Sequence, residues 1–385
     1  MKILFCATWP KITTGYAKIG HLLSNRLASI EGNEVHYLAF QANSDDIERV
    51  AHPNVHFIKD DNGFGYDMLK EILTETVRPD VVILYNDVIV GAQYVNIMME
   101  FEKKFQFIMY IDLTYKWQRF IDNINKKVDM FVCFHKTWMN HMIEMGIPQH
   151  KVCYLDHPIE NHFKLMPTLE CKRTWSFDDD DFVVLNMNRN SYRKCLDITM
   201  DGFIQFWKRN NYSPKIKIFF GCKSRAYAGA YDILELTQMF GKINKIPSDK
   251  MDILLNNCVL APGNDHVTDE RMNELYNACD VGVNTCCGEG FGLCNTEHQM
   301  LGKPQILTEL DNFKEIFSKD WCQMLPVRSR IYNTKELDMV GGLLEFCVAP
   351  DLADALDFYY KNPEIAKEHG AKGQKVLCER IIEWT

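Results

Sequence analysis

Along this chain, short apolar, β-branched or aromatic runs alternate with longer stretches whose apolar residues recur at helical spacing. That rhythm builds βα units and parallel sheets. In the first half the runs predict strands at Lys2–Thr8, Glu34–Phe40, Asn54–Ile58, Asp80–Tyr85, Phe105–Asp112, Val128–Phe134 and Lys151–Leu155. Between them Tyr16–Ile30, Tyr66–Val77 and Ile89–Lys103 have the spacing of helices. Pro79 falls just before a strand, where its missing amide donor is tolerated.

The rhythm breaks at His157–Trp175, which carries two prolines, scattered charge and no period. A second series follows, with strands expected at Asp181–Asn186, Ile216–Gly221, Cys258–Ala261, Val281–Thr285 and Pro304–Leu307. Helices are expected at Leu196–Arg209, Ala228–Phe240, Asp269–Ala278 and Thr296–Leu301, and terminal helices at Asp351–Lys361 and Pro363–Trp384. Two successive doubly wound units fit this order better than one large sheet. We therefore expect an α/β protein with an N-terminal Rossmann-like domain over residues 1–160, a linker over 161–175 and a second Rossmann-like domain over 176–362. A chain of 385 residues exceeds what one hydrophobic core usually supports, in agreement with two domains.

Composition narrows the class. Hydrophobic residues at 46% and charged residues at 25% are those of a soluble globular chain. A net charge of -9 argues against nucleic acid as a partner, because a basic face would be needed. The fourteen cysteines form no Cys-x-x-Cys pair, and Ile3–Ala7 is too short for a signal-peptide core, so reduced thiols and a cytoplasmic location are expected. Lys116, Trp117, Arg119 and Phe120 mix basic and aromatic side chains; a solvated helix face explains them more simply than peripheral membrane contact. The oligomeric state leaves no sequence signal.

The stretch Val281–Leu307, VGVNTCCGEGFGLCNTEHQMLGKPQIL, carries the most chemistry. A strand ends near Thr285, a turn with Gly288, Gly290 and Gly292 follows, and a helix begins near Leu293 to Thr296. Such glycines let a backbone approach a ligand, and a helix start offers amides to an anion. Glu289 and Glu297 bracket the turn with seven residues between them. This segment resembles the signature of retaining glycosyltransferases of family 4: Glu289-Gly290-Phe291-Gly292, then Glu297, then Gly302-Lys303-Pro304 leading into a strand, with Tyr276 and Asp280 completing the preceding Tyr-x-x-x-Asp run.

The resemblance implies the GT-B fold, with the two Rossmann-like domains facing a central cleft and the C-terminal helix, about 364–385, packing back on the first domain. It implies transfer of a hexose from a nucleoside diphosphate sugar, GDP-mannose slightly ahead of UDP-hexoses, to a glycan, glycoprotein or lipid-linked acceptor with retention of configuration. By the same resemblance Gly290, Phe291, Gly292 and Leu293 line the donor diphosphate, Glu289 faces the transferred sugar, Glu297 holds the ribose, and neither a metal nor another cofactor is needed. A stand-alone enzyme of this size fits a large DNA virus or a bacterium as its source.

Other segments extend the set. Asn186–Lys194 follows the first strand of the second domain, with Arg189 and Lys194 five apart; an Arg fork and a Lys point charge suit a diphosphate, the role that the resemblance gives them. The first loop, Thr8–Tyr16, has only Gly15 and lacks the three-glycine dinucleotide fingerprint, which argues against a nicotinamide dehydrogenase. The resemblance places Gly15 near the donor phosphate or the acceptor. Tyr110-Ile111-Asp112-Leu113 ends a central strand; Ile111 stands where many relatives have a His that contacts the sugar, and Asp112 is the remaining candidate for sugar or acceptor contact. Asp178–Asp181 imitates a metal-binding run but precedes its strand, so a solvated turn is expected; His135 and His141 are six apart, a poor zinc pair on a helix; Cys286-Cys287 fits as small filler of a tight turn. The alternatives are a sugar-nucleotide epimerase of the same fold, for which no acid–base pair beyond Glu289 is evident, and a non-catalytic module that senses nucleotide sugars.

Overall fold

A computed structural model describes residues 1–159, 163–223, 231–261, 268–334 and 341–382. The chain divides into two compact units, Met1–Ile159 with Thr334–Gly342, and Glu160–Asn333 with Leu343–Thr385.

The first unit is built on seven strands, β1 (Lys2–Thr8), β2 (Glu34–Phe40), β3 (Val55–Asp60), β4 (Val81–Asp87), β5 (Gln106–Asp112), β6 (Met130–Cys133) and β7 (Val152–Tyr154), ordered β3-β2-β1-β4-β5-β6-β7. Every pairing is parallel. The order reverses between β1 and β4, the switch point at which open α/β sheets hold ligands beyond the carboxyl ends of their strands. Helices cover the sheet, so β1 is almost wholly buried, as a continuous apolar run requires. The helix Gly15–Ala28 opens on Thr14, whose Oγ1 accepts from the Ala17 amide at 3.1 Å, and Val88–Met98 opens on Asp87, which accepts from Ile89 and Val90 at 3.0 and 3.1 Å.

The second unit repeats the plan with six strands: β8 (Phe182–Asn186), β9 (Ile216–Phe220), β10 (Cys258–Leu260), β11 (Val281–Asn284), β12 (Gln305–Thr308) and β13 (Gln323–Leu325) in the order β10-β9-β8-β11-β12-β13, again all parallel. A ribbon of β14 (Ser329–Asn333) and β15 (Gly342–Phe346) follows. One core cluster joins Trp207, Phe203 and Phe206 of the helix Leu196–Arg209 to Leu352 and Leu356 of the helix Ala349–Lys361. The mixed α/β architecture, with two separate parallel sheets, is the one expected from the chain's rhythm.

Several expectations need correcting. The stretch expected as a linker, 161–175, contains the helix Thr168–Thr174, and Phe163, Cys171 and Phe177 are buried in the second unit's core. Met166 and Lys164 donate their amides to the Asn277 and Asn273 side chains at 3.0 and 2.9 Å, so this segment is part of that unit; residues 161 and 162 lie outside the described set. The helix Pro363–Ile382 belongs by its contacts to the second unit, not the first. Gln299 Nε2 donates to the Gly370 carbonyl at 3.0 Å and Gln374 Nε2 to Met300 O at 2.8 Å. A Cβ at Gly370 would stand 1.9 Å from Gly302 O, so glycine is what allows the helix this close.

The helix expected at Ala228–Phe240 is Ile233–Ile243, capped by Asp232; residues 228–230 of that expectation lie outside the described set, as do 383 and 384 of the terminal helix. The helix expected to run to Val77 gives way at Ile72 to a π turn, in which the Val77 and Arg78 amides share the Ile72 carbonyl. Trp117 and Phe120 lie in a loop, not on a helix face, both with left-handed backbone (φ 55° and 70°). Helices at Lys136–Glu144, Ser248–Asn257 and Asp311–Ile316 are additions. No helix among the described residues is long and apolar enough to cross a membrane.

Candidate functional site

The polar centre of the second unit forms where β8 and β11 end side by side. After β8 the chain makes a short 3₁₀ turn, Tyr192–Lys194, and Cys195 (φ 48°) turns it into the helix Leu196–Arg209. Thr285, just past β11, fixes that turn: its hydroxyl donates to Cys195 O at 2.9 Å and lies 2.6 Å from Thr199 Oγ1, which accepts from Asn186 at 2.9 Å. The Cys287 amide donates to Arg193 O at 3.0 Å, tying the glycine turn to the same loop.

Within this frame Lys194 Nζ pairs with Glu289 Oε2, to which Asn284 Nδ2 also donates at 3.4 Å. Arg193 Nη1 donates to Gly288 O at 2.7 Å and lies 3.4 Å from Glu289 Oε1. Asn312 holds the main chain of the turn, donating to Glu289 O at 2.9 Å and Gly290 O at 3.2 Å. Glu289 and Lys194 are 7% and 8% exposed, so this ion pair is shielded from solvent. Burial pushes the Glu289 carboxyl up, but Lys194 and Arg193 together outweigh it and hold the group down at about 2.

The turn passes into the helix Leu293–Met300 through Gly292, whose φ of 89° favours glycine; a Cβ there would meet the Phe313 ring at 2.5 Å. This αL start begins the helix at Leu293, earlier than Thr296. Glu297 follows one turn in, buried, and accepts from Tyr276 OH at 3.1 Å. Asp280, at the end of the Tyr276–Asp280 run, accepts from the Val183 amide at 2.8 Å and pairs with Lys172 at 3.1 Å. Lys303 is half-buried with its ammonium on Asn277 O at 2.8 Å, and desolvation lowers its pKa.

The structure thus brings Lys194, Glu289, Gly290, Phe291, Gly292, Leu293 and Glu297 into one contiguous region, with Phe291 buried beside the glycines. Arg189 is exposed and forms no ion pair with a described residue. The cation that joins Lys194 is Arg193, which the five-residue spacing passed over. Asn284, Asn295 and Asn312 were also missed; Asn284 Nδ2 donates to Asn295 Oδ1 at 2.9 Å and Asn295 Nδ2 to Gln305 Oε1 at 3.0 Å, a buried amide chain beneath the turn.

In the first unit Asp112 ends β5 in register with Asp87 at the end of β4. Tyr16 OH donates to Asp112 Oδ2 at 2.6 Å. Burial, then the charges of Asp112 and Asp87, raise the Tyr16 phenol well above its ordinary value, so it stays a donor. Gly15 opens the helix that carries Tyr16. Ile111 is fully buried in the position where a His was to be looked for. Tyr85 lies between Tyr16 and Tyr110 with tilted rings, centroids at 5.0 and 5.2 Å, and Tyr110 OH lies 2.7 Å from His157 Nδ1. Burial, then nearby His135, holds His157 well below its usual range, so the imidazole is neutral.

Asp178, Asp180 and Asp181 cluster closely enough to hold an ion, yet Lys215 pairs with the first two at 2.9 and 2.8 Å, and Lys217 stands 3.7 Å from the third. His141 Nε2 accepts from the Trp117 amide at 2.7 Å. Cys286 and Cys287 are buried in the turn.

No protein-family model and no curated protein sequence matches this chain. Solved structures do match. A sucrose-phosphate synthase from Thermosynechococcus elongatus is 14% identical, with 98% of this chain and 94% of that one covered and a TM-score of 0.70. Anabaena HepE, solved with UDP and glucose, is 12% identical over 99% and 95% at a TM-score of 0.67. A trehalose-6-phosphate protein of E. coli bound with UDP-2-fluoro glucose is 11% identical over 98% and 96% at 0.65. At these identities the likeness is one of fold: the chain has the GT-B fold, with two Rossmann-like units.

Proposed function

We propose that this chain is a glycosyltransferase that moves a hexose from a nucleoside diphosphate sugar to an acceptor hydroxyl with retention of anomeric configuration. The observation that carries the reading is the cluster of buried Lys194 and Glu289 with partly buried Arg193 at the glycine turn that starts the helix Leu293–Met300. The structural likenesses support it: they include a sucrose-phosphate synthase and proteins solved with UDP or UDP-glucose.

In this reading Lys194 and Arg193, with Arg189 from the same loop, take the diphosphate, together with amides of Gly290–Leu293. Glu289 meets the sugar hydroxyls, and Glu297, steadied by Tyr276, holds the ribose. The bond from the anomeric carbon to the phosphate oxygen breaks while the acceptor oxygen bonds to that carbon on the same face. The acceptor proton passes to the departing phosphate, whose charge the fixed cations stabilise. Gly15 is assigned to the donor diphosphate or the acceptor and Asp112 to contact with the sugar or the acceptor, with the glycan, glycoprotein or lipid-linked class of acceptor open to assay. The fixed cations do the work a metal would do elsewhere.

GDP-mannose rests on the sequence resemblance alone, whereas several of the matched structures were solved with UDP or a UDP-sugar, so the donor test spans both bases. Calorimetry against UDP-glucose, UDP-N-acetylglucosamine, GDP-mannose and GDP-glucose should find one donor that binds, and proton NMR of that mixture should show slow release of the free sugar in the donor's configuration. An isomerised donor would mean an epimerase, binding without turnover a sensor, and an inverted first product would overturn the retaining mechanism.

A further inference from the structure

The cations proposed to take the diphosphate already have an anion. Lys194 Nζ sits on Glu289 Oε2 and Arg193 Nη1 lies 3.4 Å from Oε1, so both carboxylate oxygens are engaged by the groups a phosphate would need. Glu289 and Lys194 are buried and Arg193 is partly so, where a charge without a partner is strongly disfavoured. The turn is also built so that its two parts can behave differently. Asn312 fixes the backbone at Glu289 O and Gly290 O, while the Glu289 side chain is held chiefly by the two cations and by Asn284 at 3.4 Å. A side-chain rotation of Glu289 therefore leaves the turn in place.

Building on the function proposed above, we infer that Glu289 is the resident anion of the diphosphate subsite: it satisfies Lys194 and Arg193 until a diphosphate displaces it, and only then is its carboxylate released towards the sugar. The subsite is thus never an empty pair of cations, and engagement of the sugar is coupled to seating of the phosphates. A ligand with a sugar but no diphosphate cannot release Glu289, so the device selects nucleoside diphosphate sugars over sugar monophosphates and free sugars. The fixed cost is competition: every diphosphate binds against an internal carboxylate.

This makes an expectation that neither a simple sugar contact nor a structural residue shares. Removing the charge should tighten binding of a diphosphate that carries no sugar, although it impairs transfer. Isothermal calorimetry on the full chain with UDP, GDP and inorganic pyrophosphate should give tighter binding by Glu289→Gln than by the natural chain, on the order of tenfold, with Glu289→Asp, which keeps the charge, close to the natural chain. Equal or weaker binding by a folded Glu289→Gln, or equal tightening in Glu289→Asp, overturns the inference while leaving the donor reading intact. Failure of both the natural chain and Glu289→Gln to bind any of the three overturns that reading as well. If Glu289→Gln unfolds on its own, millimolar pyrophosphate should restore its thermal transition, and no restoration counts against the resident-anion role.

Discussion

The polar edges of the two sheets solve the same problem in different ways. In the second unit, the loop after β8 and the turn after β11 meet as opposite charges, and the Lys194–Glu289 pair is shielded from water. In the first unit the ends of β4 and β5 are acidic, and a neutral phenol, Tyr16, donates to one oxygen of Asp112 there. The difference shows that a strand-end crevice does not prescribe its electrostatics. The topology supplies a place, and the loop residues decide whether it stores paired charge or hydrogen-bonding aromatics.

If that contrast is right, single substitutions should separate the edges. Lys194→Ala leaves the Glu289 carboxylate buried without its nearest cation, and the free energy of unfolding in urea should fall by about 3–5 kcal/mol. A loss under about 1 kcal/mol would mean that water reaches the pair. Next in size is an acid effect. Glu289 is held at about 2 against an ordinary 4.5, so its contribution is complete above about pH 4.5 and is lost as the pH falls towards 2. The natural chain should lose more stability across that window than Glu289→Gln does; parallel profiles would remove the charge argument.

Tyr16→Phe deletes one partly buried hydrogen bond to a carboxylate and should cost about 1–2 kcal/mol, less than Lys194→Ala. If the two costs match, the edges do not differ in the way described. The smallest expected effect is none at all. Donor turnover should persist in excess chelator, because Lys215, Lys217 and Arg173 already pair with the acidic run at Asp178–Asp181. Activity that returns only on adding manganese would reassign that turn.

These edges were not equally legible in the sequence. The second one is compact along the chain: Glu289 through Glu297 is a single turn and helix start, and its glycines announce an unusual backbone. Arg193 was passed over because the five-residue spacing to Lys194 that the resemblance implies singled out Arg189, although its adjacency to Lys194 was a usable signal. The asparagines had none, since an amide beneath a turn has no period. The first edge is assembled from Tyr16, Tyr85, Tyr110 and His157, far apart in sequence, and aromatics that end a strand look like core until the fold places them. The same limit governs the elements. Long buried strands stood out by composition, whereas the short polar helices Lys136–Glu144 and Ser248–Asn257 depend on what they pack against. The stretch expected as a linker was misjudged for that reason too, its few apolar residues being core only in three dimensions.

The sulfurs have a practical consequence. Eleven of the fourteen cysteines are buried, and only Cys153, Cys294 and Cys378 are partly accessible. Desolvation drives the buried Cys286 thiol far above its ordinary value, so in the closed protein it is inert towards alkylating reagents. Any fluctuation that opens the glycine turn must expose Cys286 and Cys287 to solvent, and peptide mapping after timed alkylation would record it as modification at those two positions. The molecule therefore carries a built-in stopwatch for the breathing of its own turn, readable by mass spectrometry without a probe being introduced.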